Sequence, residues 1–317
     1  MRLSIIIPVY NVKDYVEACI MSCQQQDIPS SAYEIIVLND GSTDESLEVV
    51  QRVSERFDNI RIVSHANKGL SLTRNAGMGM ARGEYIWFVD SDDRIEANCL
   101  GKLMTEIGDA DILAFGCKDY VNGVYKGDFQ YSVKNSLVTG PQFILETSSR
   151  FMHGAPFYLF RSDFLRKHGF EFCPGIYHED SEFTPRVLSS ALKVAVSNGK
   201  YYLRTVRPGS ITQSVNPKRA YDLLYVAERL QAHLASLKLT GKKRRAMQFL
   251  LPMIINNGLD VMANCQDKDT IDFNRQFSER RLYRCFLKSG NLRYFIEGIA
   301  LSIFRYNPVR LYRMIKK

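Results

Sequence analysis

No stretch of this chain reaches the roughly 18 apolar residues that a bilayer-crossing helix needs, so no transmembrane segment is expected. No Gly-x-Gly-x-x-Gly follows an apolar run, which argues against a dinucleotide oxidoreductase. Seven cysteines form no Cys-x-x-Cys pair, and their odd number argues against a disulfide framework. Reduced, mostly buried thiols in a cytoplasmic protein fit that usage. Cys19 and Cys23 stand one helical turn apart with no histidine nearby and read as packing. Low-complexity tracts and internal repeats are missing too, and the first strand begins at Leu3, so no signal peptide is expected.

What is present is a globular composition in 317 residues, enough for more than one average domain and a sizeable core. The net charge of +8 is concentrated: residues 281–317 hold nine basic side chains against one acid, Glu297, and the remainder is close to neutral. A nucleic-acid-coating protein would spread its charge, so no nucleic-acid partner is expected.

Apolar runs and helical periods alternate through the first hundred residues. Ser4-Ile5-Ile6-Ile7-Pro8-Val9-Tyr10-Asn11 reads as a strand covered on both faces. Residues 13–26 carry a helical pattern, Glu34 to Leu38 a second strand, and Thr43 to about Arg56 a helix. Ile60 to Ser64, Gly69 to Ala81 and Tyr85 to Val89 continue the alternation as strand, helix, strand. That order predicts parallel α/β winding, with every strand's C-terminal end at one edge. Ligands of open α/β sheets bind there. Tyr10-Asn11, Asn39-Asp40-Gly41-Ser42 and Asp90-Ser91-Asp92-Asp93 should therefore face one crevice.

Beyond residue 100 the pattern loosens, with short strands expected near 112–117, 156–160 and 201–204. After Asn216-Pro217 it turns helical, at 219–237, 242–265 and 291–316. Three regions follow: 1–100, 101–215 and 216–317.

Three carboxylates within four residues, Asp90, Asp92 and Asp93, repel one another, so such a cluster awaits a cation. Hard divalent ions such as Mg²⁺ or Mn²⁺ suit carboxylate oxygens, with phosphate and water completing the shell. A solvated acidic turn is the plain alternative.

Together these segments resemble a family 2 glycosyltransferase of the GT-A fold. The matching motifs are Ser4 to Asn11, Val37-Leu38-Asn39-Asp40-Gly41-Ser42-Thr43-Asp44, Asn67 to Gly77 and Gly83 to Asp93. The resemblance covers roughly residues 3–215. It implies a Rossmann-like, mostly parallel sheet flanked by helices, here with a C-terminal helical extension. It also implies an inverting, metal-dependent transfer of sugar from a nucleotide-diphosphate donor to a saccharide or lipid-linked saccharide acceptor, as in bacterial cell-surface polysaccharide assembly.

By the same resemblance Pro8, Tyr10 and Asp40 line the nucleoside pocket, and Lys68, Arg74 and Asn75 sit near base, ribose or diphosphate. Asp90 and Ser91 belong to the donor site, Asp90 facing the ribose. Asp92 holds the metal, with Asp93 as a second ligand or its neighbour and His178 as another candidate for metal or phosphate. Independently, a carboxylate at a strand end can pair with a uracil imide, which favours a UDP-sugar. The turn Asp40-Gly41-Ser42 also reads simply as a helix cap.

Tyr177-His178-Glu179-Asp180 before a helical pattern resembles the family's base motif, with Asp180 as base and Glu179 as fallback. Alone, it reads as N-terminal capping. Arg207 and Ser210 lie in a loop resembling one that closes over the diphosphate. Gly154 to Phe160 lacks the tryptophan common in the family's acceptor region, so no acceptor contact carries over. His153 reads as structural, while His65, His168 and His233 have no partner pattern.

The basic, aromatic segment 281–317 suits an anionic membrane surface, or else a C-terminal helix packed on the catalytic domain with solvated arginines; the expected location is cytoplasmic, and in the first case peripheral at the inner face of the membrane. A nucleotidyltransferase and a non-catalytic nucleotide-sugar scaffold are the competing readings. Pro8-Val9-Tyr10-Asn11 is not the Gly- and Arg-rich loop the former needs.

Overall fold

The computed structural model describes residues 1–206, 215–241, 244 and 248–315. The chain divides into two units. The first comprises Met1–Thr139, Gly154–Gly175 and Ala191–Pro208. The second comprises Gly140–His153, Ile176–Ser190 and Gly209–Lys317. This cuts the chain differently from the three regions read in sequence, because 140–153 and 176–190 join the C-terminal helices.

Unit one holds a ten-stranded sheet: β1 (Leu3–Val9), β2 (Tyr33–Asp40), β3 (Ile60–His65), β4 (Tyr85–Phe88), β5 (Arg94–Ile95), β6 (Ile112–Val121), β7 (Val124–Phe129), β8 (Leu137–Val138), β9 (Tyr158–Arg161) and β10 (Val194–Val206). The central order is β3-β2-β1-β4-β9-β6-β10-β5. Strands β3, β2, β1 and β4 are parallel neighbours, as the alternation predicts. Every residue of β1 and β2 is buried, which matches their near-continuous apolar content. Helices α1 (Val16–Gln24), α2 (Ser46–Ser54) and α3 (Leu70–Met80) make the crossovers, and α4 (Leu100–Ile107) follows β5.

The rest of the sheet is mixed. β9 inserts antiparallel between β4 and β6, and β10 runs parallel to β6 through two register shifts. A strand that returns after leaving the strand–helix rhythm is not bound by the right-handed crossover rule. α6 (Ser162–His168) follows β9.

Unit two is helical: α5 (Gly140–Thr147), α7 (Glu179–Ser190), α8 (Pro217–Ser236), α9 (Leu250–Ala263), α10 (Asp267–Glu279), α11 (Tyr283–Leu287), α12 (Leu292–Ile303) and α13 (Pro308–Ile315). Two points differ from the sequence pattern. The stretch 291–316 is broken at Asn307-Pro308, since proline lacks the N–H that would continue α12. The pattern does not predict α10, because only Phe273 and Phe277 mark its apolar face amid charged residues. Six of the seven cysteines are buried, and none is in a disulfide. Among the described residues, no helix is long and apolar enough to cross a membrane.

Candidate active site

In unit one the parallel register brings the strand ends level: Val9 pairs with Asn39, Asn39 with Ser64 and Asp40 with His65. Side chains then lock the loops beyond them. Asn11, at φ 51°, accepts from the Thr43 amide through Oδ1 (2.8 Å), while its own amide donates to Ser42 Oγ (3.2 Å). Asn39 accepts from the Ser42 amide and donates to Ser64 Oγ.

Asp40 is 3% exposed, and its two oxygens accept from the amides of Lys68 (2.8 Å) and Gly69 (3.0 Å). The carboxylate that the sequence assigns to a base therefore also pins the loop leading into α3. His65, which has no partner pattern in sequence, places Nδ1 3.3 Å from Asp40 Oδ1, and its Nε2 is buried without a hydrogen-bond partner. Its position at a strand end is the available signal. Tyr10 is half exposed beyond β1, whereas Pro8 is buried within the strand. Lys68 has an exposed side chain.

Gly41 lies at φ +69°, and a Cβ there would meet the Asn67 backbone N at 2.6 Å. Strain and collision fall on the same residue, so Gly41→Ala should cost about 2–4 kcal/mol, measured as a lower urea midpoint.

The Asp90–Asp93 turn follows β4 and is closed by the Asp93 amide on the Asp90 carbonyl (3.0 Å). Its three carboxylates have different surroundings. Asp90 is about one-third exposed and accepts from Arg74 Nη2 at 2.7 Å. Asp92 is half-buried, and Ser91 is buried. Asp93, 5% exposed, accepts from Tyr202 Oη (2.7 Å) and the Thr205 amide (2.5 Å).

Desolvation first, then the charges of Asp90 and Asp92, push the Asp93 carboxyl well above the usual range. That crowding is what a cation relieves, so the turn fits a divalent ion. Asp93 is the carboxylate held inside, both its oxygens accepting hydrogen bonds that brace the turn, whereas Asp90 and Asp92 are partly exposed. Among the described residues no group of three or more side chains could hold a metal by itself. A bound ion would complete its shell with phosphate and water, as Mg²⁺ commonly does.

No local pattern points to Tyr202. Its hydroxyl also accepts from the Asp90 amide (3.2 Å), across 112 positions of chain. It fastens β10 to the acidic turn just before Arg207 and Ser210, which lie outside the described residues.

Arg74 is 1% exposed, held by Asp90 and stacked over Phe172, 5.1 Å from the ring centroid. It braces the acidic turn from within. Asn75 is held differently: Nδ2 donates to the Phe172 carbonyl (2.9 Å) and Oδ1 accepts the Phe172 amide (2.8 Å). The expected donor contact for Asn75 is thus replaced by a backbone clamp, which Ser71 extends by donating to the Cys173 carbonyl (2.8 Å).

In unit two Glu179 and Asp180 occupy the first turn of α7, where the helix dipole favours carboxylates. Both are half-buried. Glu182, in the same turn, is fully buried between Arg186 (2.7 Å) and Arg229 (2.8 Å), so its role is structural. The residues before α7 are gripped by α8. Asp222 accepts from the Tyr177 amide (2.7 Å), and Arg219 Nε lies 3.3 Å from His178 Nε2.

An arginine does not surrender its proton, so Nε2 is the accepting nitrogen and its lone pair is already taken. His178 is thereby corrected from metal ligand to hinge: φ 61° turns the chain, and its carbonyl accepts from the Ser181 amide. Burial, then Arg219, lowers His178 to a pKa of about 4. Burial, then His178, lowers His153 to about 4 as well. Both His153 nitrogens are buried without a partner, and its ring packs edge-on to Phe151.

Each histidine binds its proton more weakly folded than unfolded, so stability falls as pH drops below the unfolded value of 6.5 and levels off below about 4. Between pH 7 and pH 5 the loss should be about 2 kcal/mol for each, read from urea midpoints. His153→Gln should flatten that slope.

A family model described as "Glycosyl transferase family 2" matches residues 4–169, the stretch that holds β1 to β4, the acidic turn and β9. The chain belongs to glycosyltransferase family 2.

This family 2 chain is 30% identical over 236 residues to an uncharacterized glycosyltransferase, YibD, of Escherichia coli K12, spanning 71% of the chain and 68% of the relative. It is 30% identical to the poly(ribitol-phosphate) beta-N-acetylglucosaminyltransferase TarS of Staphylococcus aureus MW2, over 71% of the chain but 39% of the relative. The crystal structure of S. aureus TarS 1-349 in complex with UDP-GlcNAc superposes with a TM-score of 0.74 at 22% identity, covering 99% of this chain and 88% of that one. The fold is GT-A with a C-terminal helical region. Membership in a glycosyltransferase family displaces the nucleotidyltransferase alternative.

Proposed function

We propose that this glycosyltransferase moves a sugar from a UDP-sugar to a hydroxyl of a bacterial cell-surface polysaccharide, with inversion and with the help of Mn²⁺ or Mg²⁺. The observation that carries it is the division of labour in the acidic turn, where Asp93 is held inside while Asp90 and Asp92 are partly exposed. Asp92, with Asp90 beside it, would hold the cation. When bound, that ion neutralises charge developing on the departing diphosphate. Arg74 fixes Asp90, and Asp40 fixes the loop at Lys68 and Gly69, so the nucleoside side is set before the donor arrives.

Asp180 takes the proton of the acceptor hydroxyl as its oxygen attacks the anomeric carbon and the bond to the diphosphate breaks. TarS, which carries UDP-GlcNAc in its crystal structure and a beta linkage in its name, supports the UDP donor and a product of inverted configuration. The relatives named for poly(ribitol-phosphate) support a cell-envelope polymer or its lipid-linked precursor as acceptor. We place the reaction in the cytoplasm, at the inner face of the membrane. The test is a panel of nucleotide sugars with Mn²⁺ or Mg²⁺, following nucleotide release and the anomeric configuration of the product. A retained configuration, or activity indifferent to chelator, would overturn the mechanism.

A further inference from the structure

α12 presents two apolar faces, and only one is used. Gly298 and Leu301 are buried, and a Cβ on Gly298 would meet Phe286 Cβ at 2.8 Å and the Leu287 amide at 3.0 Å. That close approach seats α12 on α11 and fixes which face turns outward. Asn291 caps the helix by accepting from the Tyr294 amide (3.1 Å), and the Tyr294 ring packs on Phe249 and Phe286. The outward face then carries Leu292, Phe295, Ile296, Ile299 and Ile303, each between 44% and 75% exposed. Their spacing forms one stripe along the helix. Phe304 and Tyr306 extend it, with Arg305 over the Tyr306 ring.

Among residues 281–310 the exposed charged side chains are all basic. Arg281, Arg284, Lys288, Arg293, Arg305 and Arg310 are exposed, and Arg293 acts on the charge of Glu297. The one acid of this segment, Glu297, is drawn inward by Asn256 (3.2 Å), and burial raises its carboxyl above the usual range. Arg281, Arg284 and Lys288 also line a cavity of about 260 Å³ with Arg244 and Arg280.

We propose that α12 docks on an anionic bilayer surface, its stripe lying in the interface and the exposed cations of this segment meeting lipid phosphates. Exposed apolar patches of this kind mark interaction sites, and cations beside one select a negative partner. A second copy of the chain fits less well, because a two-fold contact sets a surface against itself and would bring these cations together. The inference rests on the helical unit alone and stands apart from the donor chemistry.

The test is flotation of the full chain with phosphatidylcholine vesicles, with and without phosphatidylglycerol. The chain should float with the anionic vesicles, less so as salt is raised. Ile296→Asp/Ile299→Asp should lower that partition at least about tenfold, since charge replaces buried hydrocarbon. Ile303→Asp, at the most exposed end of the stripe, serves if the double variant misfolds by circular dichroism. Arg281→Gln/Arg284→Gln/Lys288→Gln should cost about fivefold per charge on anionic vesicles only. No flotation of the unmodified chain, or flotation unchanged by the aspartates, overturns the proposal. A dimer that the aspartates dissociate, without flotation, would assign the stripe to a second copy instead.

Discussion

Asp180→Asn is expected to lower kcat by about 10²–10⁴-fold while leaving UDP-sugar affinity within about twofold. The substitution keeps the side chain's size but removes its capacity to take a proton. Loss of fold is not the expected cause, because the first turn of α7 is anchored elsewhere. Glu182 is buried between Arg186 and Arg229, and α8 grips Tyr177 and His178 through Asp222 and Arg219. Steady-state nucleotide release with acceptor gives kcat, and calorimetric titration of the donor gives affinity. Full activity in Asp180→Asn, with loss in Glu179→Gln, would move the base one residue earlier. Full activity in both would place the base elsewhere, whereas no transfer by the unmodified chain across the donor panel would leave it as a nucleotide-sugar-binding scaffold.

Asp92→Asn is expected to weaken metal-dependent donor binding by about 10–100-fold and to remove the benefit of added Mn²⁺. Asp90 is tied to Arg74, and Asp93 to Tyr202 and Thr205, so the turn keeps its shape when Asp92 is neutralised. The charge of Asp92 raises Asp93, so removing it relieves repulsion inside the turn. The melting temperature should therefore hold or rise while donor affinity falls. That opposition separates a ligand from a structural residue, for a structural role would lower both. Donor titration with and without Mn²⁺, beside a thermal melt, reads the two together.

Much of the nucleotide half is legible in the order of residues alone. Strand and helix periods through residue 90 are local properties of sequence, and the polar residues ending each strand follow from the turns they must make. The roles of individual residues are less legible. Asn75 and Arg74 are adjacent in one motif, yet one clamps the backbone of Phe172 and the other holds Asp90. Helix geometry turns neighbouring side chains about 100° apart, and what each then meets is set by distant chain. His178 reads as a ligand because it neighbours two acids, and only the fold shows that Arg219, 41 positions away, holds its ring.

Short-range pattern is enough to specify the parallel winding of β1 to β4, the acidic turn and its neighbours at one edge, and the basic character of the tail. Each depends on periodicity, turn chemistry or composition, which act within a few residues. Long-range packing sets which of three adjacent carboxylates is buried, through a hydroxyl and an amide delivered from β10. It also sets which face of α12 is hidden, because only the contact at Gly298 settles how that helix is rotated against α11. Burial of a charge, or exposure of an apolar stripe, is a property of the neighbours that pack against it, and those neighbours come from far along the chain.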